Sequence, residues 1–206
     1  MEPDVKKVTS APGNWLPALQ GELRDATREL HHRLDHNPLL APLVRPGVSM
    51  ADYGTALQAL YAINAPTELC IADYIQAQGL AFDYQTHRRM PDLLSDLEFF
   101  ALPVPPQGWS GPLIDSPGAL VGCLYVLEGS TLGGRVIFRQ LQSALQISDQ
   151  AGGKFFAGHG EQTMRMWQSF WDFAADICPE AQLASARQAA AGLFESILSL
   201  LEKQRS

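Results

Sequence analysis

The chain has 206 residues, a formal net charge of −7 and a pI near 5.1, which argues against nucleic acid or an anionic membrane as its main partner. Hydrophobic residues make up 46% and charged residues 18%, a balance that indicates one globular domain and not a disordered chain. The three cysteines are widely spaced without a CxxC pair, so we expect free thiols in a reducing compartment. With no apolar leader and no apolar run of membrane-spanning length, a cytoplasmic protein is expected.

Helical periodicity predicts an all-α, single-domain bundle of about six to eight helices without strands. Residues 1–15 are expected to be a flexible leader and residues 16–206 the helical domain. The predicted helices cover about residues 16–36, 50–79, 83–98, 117–145, 161–177 and 179–203.

Local signals fix several helix boundaries. Ser49 and Ser116 each precede a helical pattern and are predicted N-caps, and Pro117 suits a first helical turn. Pro66 is expected to break the second helix, and Pro91 to restart the third. The proline-rich residues 101–117 form the longest predicted loop.

The first predicted helix carries three of the five histidines. At about 100° per residue its buried stripe consists of Leu23, Thr27, Leu30 and Leu34. His31 falls on the flank of this stripe, whereas His32 and His36 point toward solvent. A histidine at the margin of a core can offer its imidazole to a metal in an apolar cleft.

Three charged residues share the flank of His31. Asp35, four residues on, could hold the other ring nitrogen and set the tautomer. Arg24 and Arg28 would lie where the cleft opens to water, and their guanidinium groups suit the carboxylates of a ligand.

The fourth predicted helix contains five glycines, although each costs about 0.5–1 kcal/mol relative to alanine. Gly118, Gly122, Gly129 and Gly133 line one face, which can admit either a neighbouring helix or a flat ligand. The doublet Gly133-Gly134 also offers a place to bend. One metal ligand, two carboxylate clamps and a bare helix together describe a heme sandwich.

Each feature alone has a simpler interpretation. A histidine beside an apolar stripe is usually structural or solvated. A charged helix face is usually a solvent-exposed surface with i,i+4 ion pairs. Glycines four residues apart usually serve helix–helix contact.

Taken together, two segments resemble the heme oxygenase family. Leu23–His31 (LRDATRELH) is similar to the proximal-helix motif and Tyr125–Ile137 (YVLEGSTLGGRVI) to the distal helix, in the family's order. The resemblance implies that His31 ligates the heme iron and that Arg24 and Arg28 face the propionates. It also implies that Gly129, Gly133 and Gly134 lie over the heme and let the helix kink, and it extends over about residues 19–203.

Further site residues follow from the same resemblance. Ser130 occupies the position where many members place an aspartate that organises water near the oxygen, so a proton relay here must differ. Arg165 is the best candidate for a further propionate contact, and Phe194 could pack on the heme face. Thr27 and Asp35, beside the proximal histidine, complete the expected heme-binding residues.

Other polar residues are expected to lie outside this site. We expect His87 and His159 to be solvated and Cys123 to be a small core residue. Glu128 and Arg135 do not obviously face the cleft.

The implied activity is cleavage of heme, both cofactor and substrate, to biliverdin, carbon monoxide and ferrous iron with O2. Because no flavin or nicotinamide fingerprint is visible, electrons would come from an external donor such as a ferredoxin or reductase. The variant LEGSTLGG looks most like the bacterial branch associated with bacteriophytochromes. Two alternatives stay open: a non-catalytic heme carrier or sensor, and a helical interaction module whose glycine face docks a partner helix. A di-iron carboxylate bundle is disfavoured, because no pair of Glu-x-x-His motifs is present.

Overall fold

A computed structural model describes residues 15–203 of the protein, and this part of the chain is all-α, as predicted. Its extended pairing is limited to isolated bridges from Ser148 to Ala151 and Gly152. The α-helices are α1 Leu16–Asp35, α2 Met50–Ala77, α3 Met90–Phe99, α4 Pro117–Leu145, α5 Lys154–Ala157, α6 Thr163–Ile177 and α7 Leu183–Lys203. Four short 3-10 helices lie at Ala41–Val44, Tyr84–Thr86, Gly160–Gln162 and Glu180–Gln182. The expected leader, apart from Trp15, lies outside the described residues.

Both predicted N-caps are confirmed. The Ser49 hydroxyl accepts a hydrogen bond from the Asp52 amide at 3.1 Å, and the Asp52 carboxylate accepts one from the Ser49 amide, which completes a capping box. The Ser116 hydroxyl accepts from the Ala119 amide at 3.2 Å, and Pro117 begins α4.

The predicted break at Pro66 is wrong, because α2 continues through it. Pro66 is buried between the core residues Ile63 and Ile71, and burial of this apolar surface outweighs the lost backbone hydrogen bond. The third predicted helix begins later than expected. Residues Tyr84–Thr86 form a 3-10 turn, and α3 begins at Met90 with Pro91 in its first turn.

The core centres on α4 and α7, which form the largest helix–helix contact in the molecule. One apolar cluster joins α1, α2, α4, α6 and α7, and a second joins α2, α3 and the C-terminal half of α4. α4 is long and apolar enough to cross a membrane by length and composition, and 56% of its most apolar window is buried inside the protein. A core helix has these properties too, and the packing of α4 is that of a core helix.

α1 and α4 each pack against α7, whereas they barely touch each other. α7 therefore links two helices that make few direct contacts with each other. These are the two helices that carry the predicted histidine and glycine motifs.

Candidate functional site

α1 presents His31 at the protein surface. Its side chain is 62% exposed, and Nδ1 lies 3.1 Å from Oδ2 of Asp35 one turn later. Because a carboxylate can only accept, Nδ1 carries the proton of this hydrogen bond. A neutral imidazole in that tautomer has its lone pair on Nε2, the nitrogen left to face a ligand.

Thr27 lies on the core side of α1. It is buried, and its hydroxyl donates to the Leu23 carbonyl at 2.7 Å. Together with Leu19 and Leu23, it forms the stripe that packs α1 onto the core. Thr27 therefore supports the helix that carries His31 and does not present a polar atom to the cleft.

The two predicted carboxylate-binding arginines are exposed on α1. Arg28 pairs with Asp25, three residues earlier on the same helix. A ligand carboxylate would exchange with this surface partner at little cost, because exposed ion pairs contribute at most about 1 kcal/mol. Arg165, the third predicted arginine, is exposed on α6.

Phe194 of α7 is buried and lies beside His31. The two ring centroids are 6.0 Å apart and the rings are tilted by 56°. The predicted aromatic residue thus forms the apolar wall next to the exposed imidazole.

The glycine face of α4 has two different halves. A Cβ on Gly118 would lie 2.6 Å from the Gln182 carbonyl, and one on Gly122 would collide with the Ala186 carbonyl of α7 and lie 2.9 Å from the Ala190 nitrogen. These two glycines therefore let α4 and α7 approach closely, which is the ordinary helix–helix role.

The second half of the glycine face is more open. Around a Cβ built on Gly133 no atom of the described residues lies within 4 Å, and one on Gly129 would be 3.8 Å from the Trp167 ring. Gly134 instead faces the protein interior, where its Cβ would lie 3.2 Å from the Phe156 carbonyl. The exposed Ser130 donates its hydroxyl to the Leu127 carbonyl at 2.6 Å.

A buried polar cluster behind α4 was missed, and the expectation that His87 is solvated is wrong. His87 and Glu128 are 4% and 3% exposed, and Nδ1 of His87 lies 3.0 Å from Oε1 of Glu128. His159 is half-buried, with its ring 6.3 Å from that of His87. One signal was available: a lone carboxylate in the apolar run before Gly129 must find a partner when the helix is buried.

Burial shifts the pKa of one member of this cluster, His159. It lowers the pKa of His159 to about 4, with the nearby Arg89 and His87 acting in the same direction. Among residues 15–203, three buried polar atoms lack a hydrogen-bond partner: Nε of Arg89, Oε2 of Glu128 and Nε2 of His159. Ordered water is the usual partner of such atoms in protein interiors.

Two surface cavities lie away from His31. One, of about 400 Å³, is lined by residues that include Asp92, Lys154 and His159. The other, of about 330 Å³, lies beside Val44 and Val136.

No family model matches the sequence. A heme oxygenase from Xanthomonas campestris pv. campestris (strain 8004) is 36% identical over 90 residues, a segment that spans 44% of this chain and 53% of that relative. Sequence similarity is thus limited to about half of either protein.

Solved structures of heme oxygenases share the fold. The NO- and CO-bound heme oxygenase from Neisseria meningitidis superposes with a TM-score of 0.75 at 22% identity, covering 90% of this chain and 91% of its own. The heme oxygenase from Leptospira interrogans superposes with a TM-score of 0.71 at 16% identity, covering 90% of this chain and 98% of its own. Heme oxygenase-1 from Synechocystis, in complex with heme, gives 0.70 at 17% identity, covering 90% and 91%. The chain therefore has the fold of these heme oxygenases.

Proposed function

We propose that this protein is a heme oxygenase that cleaves heme to biliverdin, carbon monoxide and ferrous iron, using O2 and externally supplied electrons. The observation that carries the proposal is the exposed imidazole of His31 on α1 beside Phe194 of α7, the helix against which α4, with its open surface at Gly133, also packs. The shared fold and the partial sequence similarity to a heme oxygenase support it independently.

The residues on both sides of the cleft fit heme. His31 would supply a nitrogen ligand to the iron, Phe194 an apolar wall, and the glycine-rich backbone of α4 a surface without side chains for the planar macrocycle. Heme, when bound, supplies the iron at which O2 is activated and the ring that is oxidised.

On the proximal side, Asp35 holds the His31 imidazole through Nδ1, which would leave Nε2 free to bind the heme iron. Arg24 and Arg28 would bind the two propionates and so orient the substrate. Arg165 on α6 is the further propionate contact that we propose. Thr27 acts indirectly, by packing α1 onto the core.

On the distal side, Gly129 and Gly133 let the backbone of α4 approach the ring, and Gly134 allows the helix to bend. The Ser130 hydroxyl donates its hydrogen bond to the Leu127 carbonyl, so its oxygen remains available to accept a hydrogen bond from water. Ser130 cannot carry the negative charge of an aspartate, and we therefore propose that it orders water in the cleft without acting as a charged relay.

The segment LEGSTLGG suggests the branch of bacterial heme oxygenases that supply biliverdin to bacteriophytochromes. We accordingly propose a cytoplasmic enzyme that receives electrons from a ferredoxin or reductase. Absorption spectra recorded while a purified bacteriophytochrome apoprotein is added to the reaction would reveal transfer of the bilin.

Heme loading followed by controlled turnover tests the proposal. Wild-type protein is expected to give a Soret band on titration with heme, and to lose it while forming a bilin once reductant, O2 and catalase are added. His31→Ala should lose the axial-ligand signature, whereas His32→Ala, an exposed histidine on the same helix, should behave as wild type. A Soret band that persists under turnover would instead identify a heme carrier, and the absence of any Soret shift would identify an interaction module.

A further inference from the structure

We propose that the buried Glu128–His87 pair positions the glycine segment of α4, residues 129–134, against heme. The inference rests on the proposed function, because it concerns the placement of the surface that would meet the ring. It assigns positioning roles to Glu128, a buried residue of α4, and to His87, which lies in the segment before α3.

The glycine segment must be held by contacts on the side of α4 that faces the protein interior. Gly129 and Gly133 have no side chains that could anchor the helix from the cleft side, and Ser130 bonds only to its own helix. Glu128 directly precedes this segment and points into the protein, where the nearly inaccessible His87 lies 3.0 Å away. This hydrogen bond joins α4 to the segment that precedes α3.

The segment that carries His87 is itself held firmly. The buried Glu68 of α2 accepts hydrogen bonds from the Arg89 amide at 2.7 Å and the Met90 amide at 3.0 Å. It also accepts from Nε of Arg88 at 3.1 Å. His87 is therefore presented to Glu128 by a backbone that is tied to α2.

The same network reaches the far end of the glycine segment through α5. Arg89 donates to the carbonyls of Lys154 and Phe155, at 3.0 and 2.8 Å. Asp96 of α3 accepts from the amides of the same two residues, at 3.0 and 2.8 Å. The first two residues of α5 are thus held through both their carbonyls and their amides.

The next residue of α5 closes the arrangement. The Phe156 carbonyl lies against Gly134, so close that a Cβ there would be 3.2 Å away. Residues 129–134 are therefore bracketed by Glu128 at one end and Gly134 at the other, and both contacts lead back to the segment 87–90. A displacement of this network would move the bare helix surface as a unit.

Hydrogen–deuterium exchange of the protein without heme tests the positioning role directly. Glu128→Leu removes the acceptor for His87 and should speed exchange of the amides at 129–134 by about tenfold or more, because local opening replaces a fixed contact. Glu128→Gln keeps an oxygen at the same place and should largely restore slow exchange.

Ser116→Ala is the matched control, because it removes the cap at the opposite end of the same helix. It should lower the unfolding temperature without selectively speeding exchange at 129–134. After heme loading, Glu128→Leu should also shift or broaden the Soret band, whereas Ser116→Ala should leave it as in wild type. If Glu128→Leu does not fold, His87→Ala removes the same hydrogen bond from the other partner.

Equal exchange at 129–134 in Glu128→Leu and Ser116→Ala, together with identical Soret bands, would overturn the positioning role. Failure of the wild-type protein to bind heme is a different result. It would overturn the proposed function, while the exchange comparison would still report whether Glu128 fixes the helix.

Discussion

At the scale of single residues, the contact between His31 and Asp35 makes a quantitative prediction. Asp35→Ala removes the acceptor that orients the imidazole, so we expect heme affinity to fall by about 10-fold, in line with the loss of other outer-shell partners of metal ligands. The His31→Ala variant should lose more heme affinity than Asp35→Ala, because it removes the ligand itself. Dissociation constants from competition with a heme-binding protein would measure both changes.

Asp25→Ala provides the matched control for Asp35→Ala. Asp25 is an exposed aspartate on the same helix that pairs with Arg28 and does not contact His31. Its removal frees the guanidinium and should leave heme affinity unchanged or slightly higher. Equal loss of affinity in the two variants would mean that charge on α1, and not the orientation of His31, governs binding.

At the scale of elements, the two halves of α4 predict opposite outcomes for one substitution. Gly122→Ala places a methyl group against the backbone of α7, and overpacking of this kind costs about 1–3 kcal/mol. Gly133→Ala meets open space and should stabilise the heme-free protein by about 0.5–1 kcal/mol, because alanine is the better helix former. Denaturant unfolding of both variants measures the difference.

Gly133→Ala should be the more stable of the two variants but should bind heme less tightly than Gly122→Ala. The methyl group of Gly133→Ala projects into the proposed heme cleft and should weaken binding, although the protein itself is more stable. A Gly133→Ala variant that binds heme as tightly as wild type would show that the ring does not approach α4 at this position. A stable Gly122→Ala variant would contradict the close contact with α7.

Sequence patterns predicted six of the seven α-helices and both caps because those signals are local, whereas the four-residue helix α5 is too short to give a periodic pattern. Ser49 and Ser116 each bond to an amide three residues away, so spacing alone reveals them. The continuation of α2 through Pro66 depends on burial against other helices, which no local pattern contains.

The candidate site divides in the same way. The hydrogen bond between His31 and Asp35 follows from helical spacing and was predicted. The one between His87 and Glu128 joins residues 41 apart, so it could not be predicted from periodicity. The different surroundings of Gly122 and Gly133 also depend on where α7 ends its contact with α4.

At the scale of the whole molecule, α7 and the buried network act on opposite sides of α4. α7 packs against both α1 and α4 and places Phe194 beside His31. The network from Glu68 to Phe156 joins α2, α3 and α5 behind the glycine segment. α4 is thus held by helix packing against α7 and by buried hydrogen bonds to the segment before α3.

The buried network also predicts how global stability depends on pH. The pKa of His159 falls from 6.5 to about 4 in the folded protein, through burial first and then the positive neighbours Arg89 and His87. Between these two values the unfolded chain binds more protons than the folded protein, so His159 makes the folded state less stable as pH falls from 6.5 to about 4. Above 6.5 it has no such effect.

Glu68 and Asp96 act in the opposite sense, because burial raises the pKa of each and favours the folded state as they become protonated. The contribution of His159 is therefore measured as the difference between His159→Asn and wild type. As pH falls from 6.5 toward 4, thermal unfolding should show a smaller loss of stability in the variant. Parallel curves for the two proteins across this interval would mean that His159 takes up its proton as readily in the folded protein as in the unfolded chain, which contradicts its enclosure behind α4.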